Sequence, residues 1–257
     1  MLKHLFQTQK KSFIPFIMAG HPSIEKTKHA ILALSAAGAD LIELGVPFSD
    51  PVADGPINQQ AADVALAQGV NLNLILELVR SIRDGGCQTP IILFSYFNPI
   101  LAFGCDAFAV EAKAAGVDGV LIVDLPPEEG EAFYAKLKSA GLGVVLLVSP
   151  TTNSSRFGVY QRVDPAFIYY ISRLSVTGMQ NDVSPHLASE MQTLRTYFPS
   201  HPIVVGFGVS TTEHARTVAQ FADGVVVGSF LVKTLEAEGV DALQIIAQQF
   251  AEVVHSA

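Results

Sequence analysis

The sequence lacks several features that define whole classes of protein. Its only two cysteines, Cys87 and Cys105, form no CxxC pair, which excludes a disulfide scaffold and fits a reducing cytoplasm. No apolar run approaches the roughly 20 residues of a membrane-spanning helix, and residues 1–13 contain no apolar stretch typical of a signal peptide. Charged residues make up only 16% of the chain, against about 25% in an average domain, which indicates a core-rich protein with little disorder.

Basic residues are also few. Lys and Arg together number 16 against 24 Asp and Glu, so the formal net charge is -8 and the sequence pI is about 5.3. This balance argues against nucleic acid or an anionic membrane as the partner. A length of 257 residues fits one α/β barrel or one large open-sheet domain. No linker or shift in composition divides the chain, so we expect one cytoplasmic, enzyme-sized domain over residues 1–257.

Short β-branched runs recur along the chain with amphipathic segments between them. The segments predicted to be helical include 25–37, 108–115, 129–140 and 211–221. Eight strands are predicted, at residues 15–20, 40–47, 90–97, 119–126, 143–150, 166–172, 202–208 and 223–229.

Several predicted helices end in a similar turn: Ala-Gly-Ala-Asp at 37–40, Ala-Gly-Val-Asp at 115–118 and Ala-Gly-Leu-Gly at 140–143. Glycine suits the left-handed position that follows a helix, and the next strand begins at once. Eight such units predict a (β/α)8 TIM barrel, which we expect to carry an extra N-terminal helical arm. A doubly wound open sheet is the structural alternative.

The second predicted strand carries one carboxylate, Glu43, and the loop after it supplies Asp50 and Asp54. Burying an ionised carboxylate costs several kcal/mol unless it is paired, so a lone Glu in an apolar strand indicates a function. The simpler interpretation is a strand-end Glu satisfied by a neighbouring group. If Glu43 faces the barrel lumen, Leu41 and Gly45 do as well, and Glu43 lies near the mouth where barrel enzymes hold their active sites.

Glycines at consecutive strand ends predict a phosphate site. Gly208 and Gly228 end the last two predicted strands, and Gly178 follows the sixth. Free backbone N–H groups at the start of the following helices bind phosphate in many barrels. No HxH, HExxH or paired-Cys spacing occurs and no Lys lies at a strand end, so we predict neither a metal site nor a Schiff base. Carboxylates alone then require a substrate that supplies its own electron sink, such as a heteroaromatic ring.

The fourteen-residue run Glu43-Leu-Gly-Val-Pro-Phe-Ser-Asp-Pro-Val-Ala-Asp54-Gly-Pro closely resembles the signature of the tryptophan synthase alpha chain family. Other stretches agree in order and spacing. They are Phe16-Ile-Met-Ala-Gly20, Tyr96-Phe-Asn-Pro-Ile100, Gly116-Val-Asp-Gly-Val-Leu-Ile-Val-Asp124-Leu-Pro-Pro127, Tyr169-Tyr-Ile-Ser-Arg173, Val176-Thr-Gly178, Gly206-Phe-Gly208 and Gly228-Ser229.

The resemblance implies a lyase that cleaves indole-3-glycerol phosphate to indole and glyceraldehyde 3-phosphate in tryptophan biosynthesis. It implies no cofactor in this chain and a partner beta chain that carries pyridoxal phosphate, in an alpha2-beta2 heterotetramer. Glu43 corresponds to the general acid–base, and Asp54 to the carboxylate that faces the indole N–H. We further expect Thr177 to hydrogen-bond Asp54 only when both loops over the mouth close. The substrate-binding positions implied by the resemblance are Phe16, Phe94, Tyr96, Tyr169, Thr177, Gly178, Phe207, Gly208, Gly228 and Ser229.

Three other functions stay open from the sequence. Another phosphosugar barrel, such as an isomerase or epimerase, would share the fold. A stand-alone indole-releasing lyase would share the chemistry and lack the beta chain. A catalytically silent partner that only activates a beta chain would not need Glu43 and Asp54.

Overall fold

Eight parallel strands close into a barrel in chain order. The structure is a computed structural model that describes residues 2–6, 10–171, 186–206 and 208–257. The closed barrel confirms the predicted TIM barrel and rules out the open sheet. The strands are β1 Ser12–Met18, β2 Ile42–Gly45, β3 Ile91–Ser95, β4 Gly119–Ile122, β5 Gly143–Val148, β6 Phe167–Ile171, β7 Ile203–Gly206 and β8 Gly224–Val227.

Helices surround the barrel, and each of the four predicted helices has a counterpart within a few residues of its expected ends. The described helices are α1 Leu2–Leu5, α2 Ile24–Ala36, α3 Pro56–Ala67, α4 Leu72–Asp84, α5 Phe97–Phe103, α6 Cys105–Ala115, α7 Pro127–Ser139, α8 Phe157–Val163, α9 Leu187–Tyr197, α10 Thr212–Ala219 and α11 Ser229–His255, with a 3₁₀ turn at Ser154–Arg156. In the part of the chain described, no single helix is long and apolar enough to cross a membrane, although α3 and α4, which meet at 95°, reach that length and composition together.

Side chains of each strand alternate between the lumen and the helices. Leu41, just before β2, packs in the lumen with Phe16 and Ile92. Ile42 and Leu44 of β2 point the other way and pack between the sheet and the helices. Glu43 pairs in register with Phe16 on one side and Ile92 on the other. The inward orientation predicted for Glu43 follows from this alternation.

The amino-terminal end of the barrel is closed by the start of the chain. Leu2 is buried, and its side chain packs directly against Gly119 and Gly143. A Cβ atom added at either glycine would lie only 2.6 Å (Gly119) or 2.5 Å (Gly143) from Leu2 Cδ1. The Phe6 ring lies 5.3 Å from that of Phe167. Residues 1 and 7–9 lie outside the described part, so a longer N-terminal helical arm stays a prediction. The lumen is therefore open to a substrate at its carboxyl end.

Aspartates at the amino ends of three strands tie neighbouring strands together. The backbone N–H of Asp118 donates to the Ile91 carbonyl at 2.9 Å, and its carboxylate accepts from the Ile91 N–H at 2.9 Å. Asp40 makes the same pair of bonds with Phe13, and Asp223 with Ile203. Two of the three, Asp40 and Asp118, belong to the Ala-Gly-x-Asp turns, which thus tie neighbouring strands together as well as ending helices.

We expect Asp118→Ala to lower the free energy of unfolding by about 2–4 kcal/mol, because it removes the acceptor of the Ile91 N–H and leaves the partly buried Arg83 guanidinium without its carboxylate partner. Urea unfolding followed by circular dichroism measures the change. The control is Asp106→Ala, which removes an equally close ion pair with Lys136 but at a side chain 81% exposed, so its stability should be nearly unchanged. Equal losses for the two variants would contradict a structural role for the strand-end aspartates.

Candidate active site

Glu43 is the most deeply buried acidic side chain of the described residues. It is 1% exposed, and its Oε1 atom has no hydrogen-bond partner among the residues that the structure describes. Burial, followed by the negative charge of Asp54, raises the pKa of Glu43 to about 8. Glu43 is therefore a neutral acid at pH 7 that still gives up its proton close to neutrality.

Asp54 lies on the loop between β2 and α3, just before the α3 N-terminus, where the helix dipole favours a negative charge. Its Oδ2 atom accepts a hydrogen bond from the Tyr96 hydroxyl at 2.8 Å, and its Oδ1 atom accepts from Asn58 Nδ2 at 3.4 Å. Burial is the larger effect and leaves the pKa of Asp54 raised, although the bonds from Tyr96 and Asn58 lower it. Within the described part of the chain, the two carboxyl groups thus have unlike environments, since Asp54 lies between two hydrogen-bond donors and Glu43 has none.

A cavity of about 260 Å³ joins both carboxylates to the barrel mouth. Phe16 and Phe94 meet edge to face in its wall, 5.5 Å apart, and Glu43 and Asp54 carry the only carboxyl groups among its described lining residues. Of the predicted site residues, the cavity brings together Phe16, Glu43, Asp54, Phe94, Tyr169, Gly208, Gly228 and Ser229.

Tyr96 has a different position from the one expected. It is buried and is absent from the cavity wall, because its ring packs beneath the Asp54 loop, 5.3 Å from the ring of Phe48. Its hydroxyl accepts the Ala53 N–H at 3.0 Å while donating to Asp54. The structure therefore places Tyr96 behind Asp54.

Glycines on the strands make room for the aromatic rings of the cavity. A Cβ on Gly206 would lie 2.1 Å from the Tyr169 hydroxyl oxygen, and one on Gly45 would lie 2.8 Å from the Phe16 ring. Burial, then the charges of Glu43 and Asp54, raises the pKa of Tyr169 well above its ordinary value. Tyr169 is consequently a neutral phenol beside the two acids.

The predicted phosphate end of the cavity consists of backbone at two strand ends. Gly228 precedes α11, which begins at Ser229 without a side-chain cap. The N–H groups of Leu231 and Val232 donate to the Gly228 carbonyl, which leaves those of Ser229 and Phe230 without an acceptor within the helix. Gly208, after β7, has a φ of 80°, which a glycine adopts without strain. Thr177, Gly178 and Phe207 lie outside the described residues.

Sequence reasoning missed part of the cavity wall. Leu147 and Ile171 line it from β5 and β6, and Val123 from the position just after β4; their alternation with outward-facing residues could have identified them. Asn58 and Val209 line it from beyond the strands, where no period-2 pattern exists. Within the described residues, no group of three or more His, Cys, Asp or Glu side chains is arranged to hold a metal ion.

Comparison with known proteins agrees with this geometry. The family model described as "Tryptophan synthase alpha chain" matches residues 2–256. The chain is 49% identical over 227 residues to the tryptophan synthase alpha chain of Geobacter sp. strain M21, covering 88% of this chain and 84% of that one. It is 44% identical over 254 residues to that of Burkholderia multivorans, covering 98% and 93%.

Solved structures show the same relationship. The crystal structure of the tryptophan synthase alpha chain of Legionella pneumophila superposes with a TM-score of 0.88 at 36% identity, covering 98% of this chain and 95% of that one. A chain of the aminoacrylate-bound tryptophan synthase of M. tuberculosis superposes with a TM-score of 0.86 at 30% identity, covering 98% of each. The chain belongs to the tryptophan synthase alpha chain family, the lyases that release indole from indole-3-glycerol phosphate in the biosynthesis of tryptophan.

Proposed function

We propose that Glu43 and Asp54 divide the acid–base work in the cleavage of indole-3-glycerol phosphate to indole and glyceraldehyde 3-phosphate. The observation that carries this proposal is the pair of carboxyl groups in one apolar cavity, of which Asp54 accepts two hydrogen bonds and Glu43 accepts none from the described residues. Two carboxyl groups in unlike environments commonly act as acid and as charge stabiliser. The apolar wall of Phe16, Phe94 and Tyr169 suits a flat aromatic ring.

The reaction begins with protonated Glu43. Its proton passes to C3 of the indole ring, and the positive charge that develops moves to the ring nitrogen. Asp54 stabilises this cation through a charge-assisted hydrogen bond from N1–H in a water-poor cavity. The Glu43 carboxylate then takes the proton of the glycerol hydroxyl as the bond to C3 breaks. The bonding electrons return to the ring, the hydroxyl becomes the aldehyde, and Glu43 is protonated again.

The substrate phosphate is proposed to bind backbone N–H groups. Gly208, Gly228 and Ser229 lie at the ends of β7 and β8 in the cavity wall, where the start of α11 offers unpaired donors and the positive end of a helix dipole. Thr177, Gly178 and Phe207 complete this proposal from sequence resemblance alone.

We also propose an alpha2-beta2 assembly in which a beta chain docks over the mouth near Asp50 and Pro51. Asp50 is exposed and Val52 is 85% exposed, so this loop offers both a charge and an apolar side chain to a partner. The pyridoxal phosphate of the family belongs to the beta chain, so this chain is proposed to need no cofactor.

Its two free thiols fit a cytoplasmic location, and residues 1–257 are proposed to form one domain.

Loss of the acid at position 43 should separate activity from stability. Glu43→Gln keeps the shape but carries no transferable proton, so indole release from indole-3-glycerol phosphate should fall by at least ~10³-fold. Because folding raises the pKa of Glu43 from 4.5 to about 8, the folded chain is favoured fully below pH 4.5 and loses stability as the pH rises from there through about 8. At pH 9 the variant should therefore be more stable than the native chain by a few kcal/mol, and the difference should shrink toward pH 5.

Indole release and urea unfolding of the two chains at both pH values test this prediction. Asp50→Asn is the control, since its carboxylate is exposed and outside the cavity. Activity within tenfold of the native chain in Glu43→Gln would remove Glu43 from the acid–base role.

The pH profile should report the proton on Glu43. Because the reaction starts from the protonated acid, kcat/KM of the free chain should fall tenfold per pH unit above about pH 8. Asp50→Asn should show the same basic limb. A profile that stays level to pH 10 would mean that the reaction does not require a protonated Glu43.

Position 228 should control affinity for the phosphate. A Cβ added there makes only ordinary contact with Phe16, at 3.6 Å, so Gly228→Ala should change KM little. Gly228→Val adds two methyl groups at the cavity wall and should raise KM by at least ~10-fold. Steady-state kinetics and titration with glycerol phosphate measure both variants. Unaltered binding of glycerol phosphate to Gly228→Val would place the phosphate elsewhere.

A further inference from the structure

The two carboxylate oxygens of Asp54 are each bound by a side chain from a different element. Tyr96, at the end of β3, donates to Oδ2 at 2.8 Å. Asn58, in the first turn of α3, donates to Oδ1 at 3.4 Å. Asp54 itself belongs to the loop between β2 and α3, so three separate parts of the chain meet at this carboxylate.

Tyr96 holds the loop as well as the carboxylate. Its hydroxyl oxygen accepts the Ala53 N–H at 3.0 Å, which directs the hydroxyl proton toward Asp54. The phenol ring is buried and packs against Phe48 at 5.3 Å, so the donor has little freedom to turn away. The main chain at residue 53 and the side chain at residue 54 are thus held by the same atom.

The amide of Asn58 has a definite orientation for an electrostatic reason. Its nitrogen faces the carboxylate, and the reverse orientation would set the amide oxygen against a carboxylate oxygen. Asn58 and Asp54 are four residues apart at the start of α3, a spacing that brings side chains together. Asn58 also lines the cavity, so its contact with Asp54 lies at the wall that a substrate ring would meet.

Apart from these two bonds and the N-terminus of α3, the surroundings that the structure describes do not favour the charge of Asp54. Among the described residues, the titratable groups that face it are Glu43 from β2, Tyr169 from β6 and Tyr96 itself. All three have a raised pKa and are neutral at pH 7, so no cation among them offsets the burial of the carboxylate. The hydrogen bonds from Tyr96 and Asn58 lower the pKa of Asp54 against the larger effect of burial, which raises it.

We propose that Tyr96 and Asn58 are positioning residues that hold the Asp54 carboxylate ionised and aimed at the indole N–H, an inference that rests on the function proposed above. In this account Tyr96 does not form the pocket for the ring. It acts through Asp54, and Asn58 adds a second, weaker donor on the other oxygen.

The test measures kcat, KM and the pH profile of indole release for Tyr96→Phe and Asn58→Leu in the full chain, alone and with its beta chain. Loss of a hydrogen bond to a charged group should lower kcat about tenfold in Tyr96→Phe and less in Asn58→Leu, with KM changed less than about threefold. Because each bond favours the ionised carboxylate, its loss should move the acid limb of kcat/KM to higher pH by about half to one unit.

Two controls separate this role from simple packing. Tyr134→Phe also removes one buried phenol hydrogen bond, to the Leu125 carbonyl at 2.7 Å, and should leave the acid limb in place. In an Asp54→Asn background, which should have no acid limb, Tyr96→Phe should lower the residual kcat less than twofold.

Acid limbs unmoved in both variants, or a full tenfold loss for Tyr96→Phe in the Asp54→Asn background, would overturn the inference while leaving the proposed function intact. An Asp54→Asn chain as active as the native one would instead overturn the proposed function. If Tyr96→Phe does not fold, the acid limb of Asn58→Leu decides, since that side chain is only partly buried.

Discussion

The carboxyl group of Glu43 lies in the middle of an apolar barrel lumen, where burial opposes its ionisation. Ordinary Glu side chains are carboxylates at pH 7 and could not deliver a proton there. The register of β2 between β1 and β3 places this side chain among Phe16, Ile92 and their inward-facing neighbours. The same packing that forms the core of the barrel therefore raises the pKa of Glu43 and keeps it protonated at pH 7.

In the proposed mechanism Asp54 has to stay ionised, whereas Glu43 has to be protonated, and Asp54 lies on a loop and not on a strand. A second carboxylate at an inward-facing strand position would also be buried in the lumen, and burial would favour its neutral form as well. The loop between β2 and α3 instead brings Asp54 to the edge of the same cavity, next to a helix N-terminus and between two hydrogen-bond donors. In the proposed mechanism, one segment of 14 residues thus supplies both the acid and the charge stabiliser.

The barrel and its inner layer were predictable from the sequence, because β-branched runs and Ala-Gly-x-Asp turns report local structure. Inward orientation of Glu43 followed from period-2 alternation once the barrel was assumed. The position of Tyr96 was not predictable, since it depends on how the loop after β2 folds over the end of β3. Asn58 carried no signal either, because its contact with Asp54 becomes visible only when α3 is known to begin at Pro56.

Direct titration of Glu43 tests the account most directly. Infrared difference spectra between the native chain and Glu43→Gln, recorded from about pH 5 to about pH 10, isolate the carboxyl band of this one residue. The account predicts a protonated carboxyl group at pH 7 that ionises with a pKa near 8. A carboxylate band already complete at pH 7, with ionisation near the ordinary value of 4.5, would contradict it.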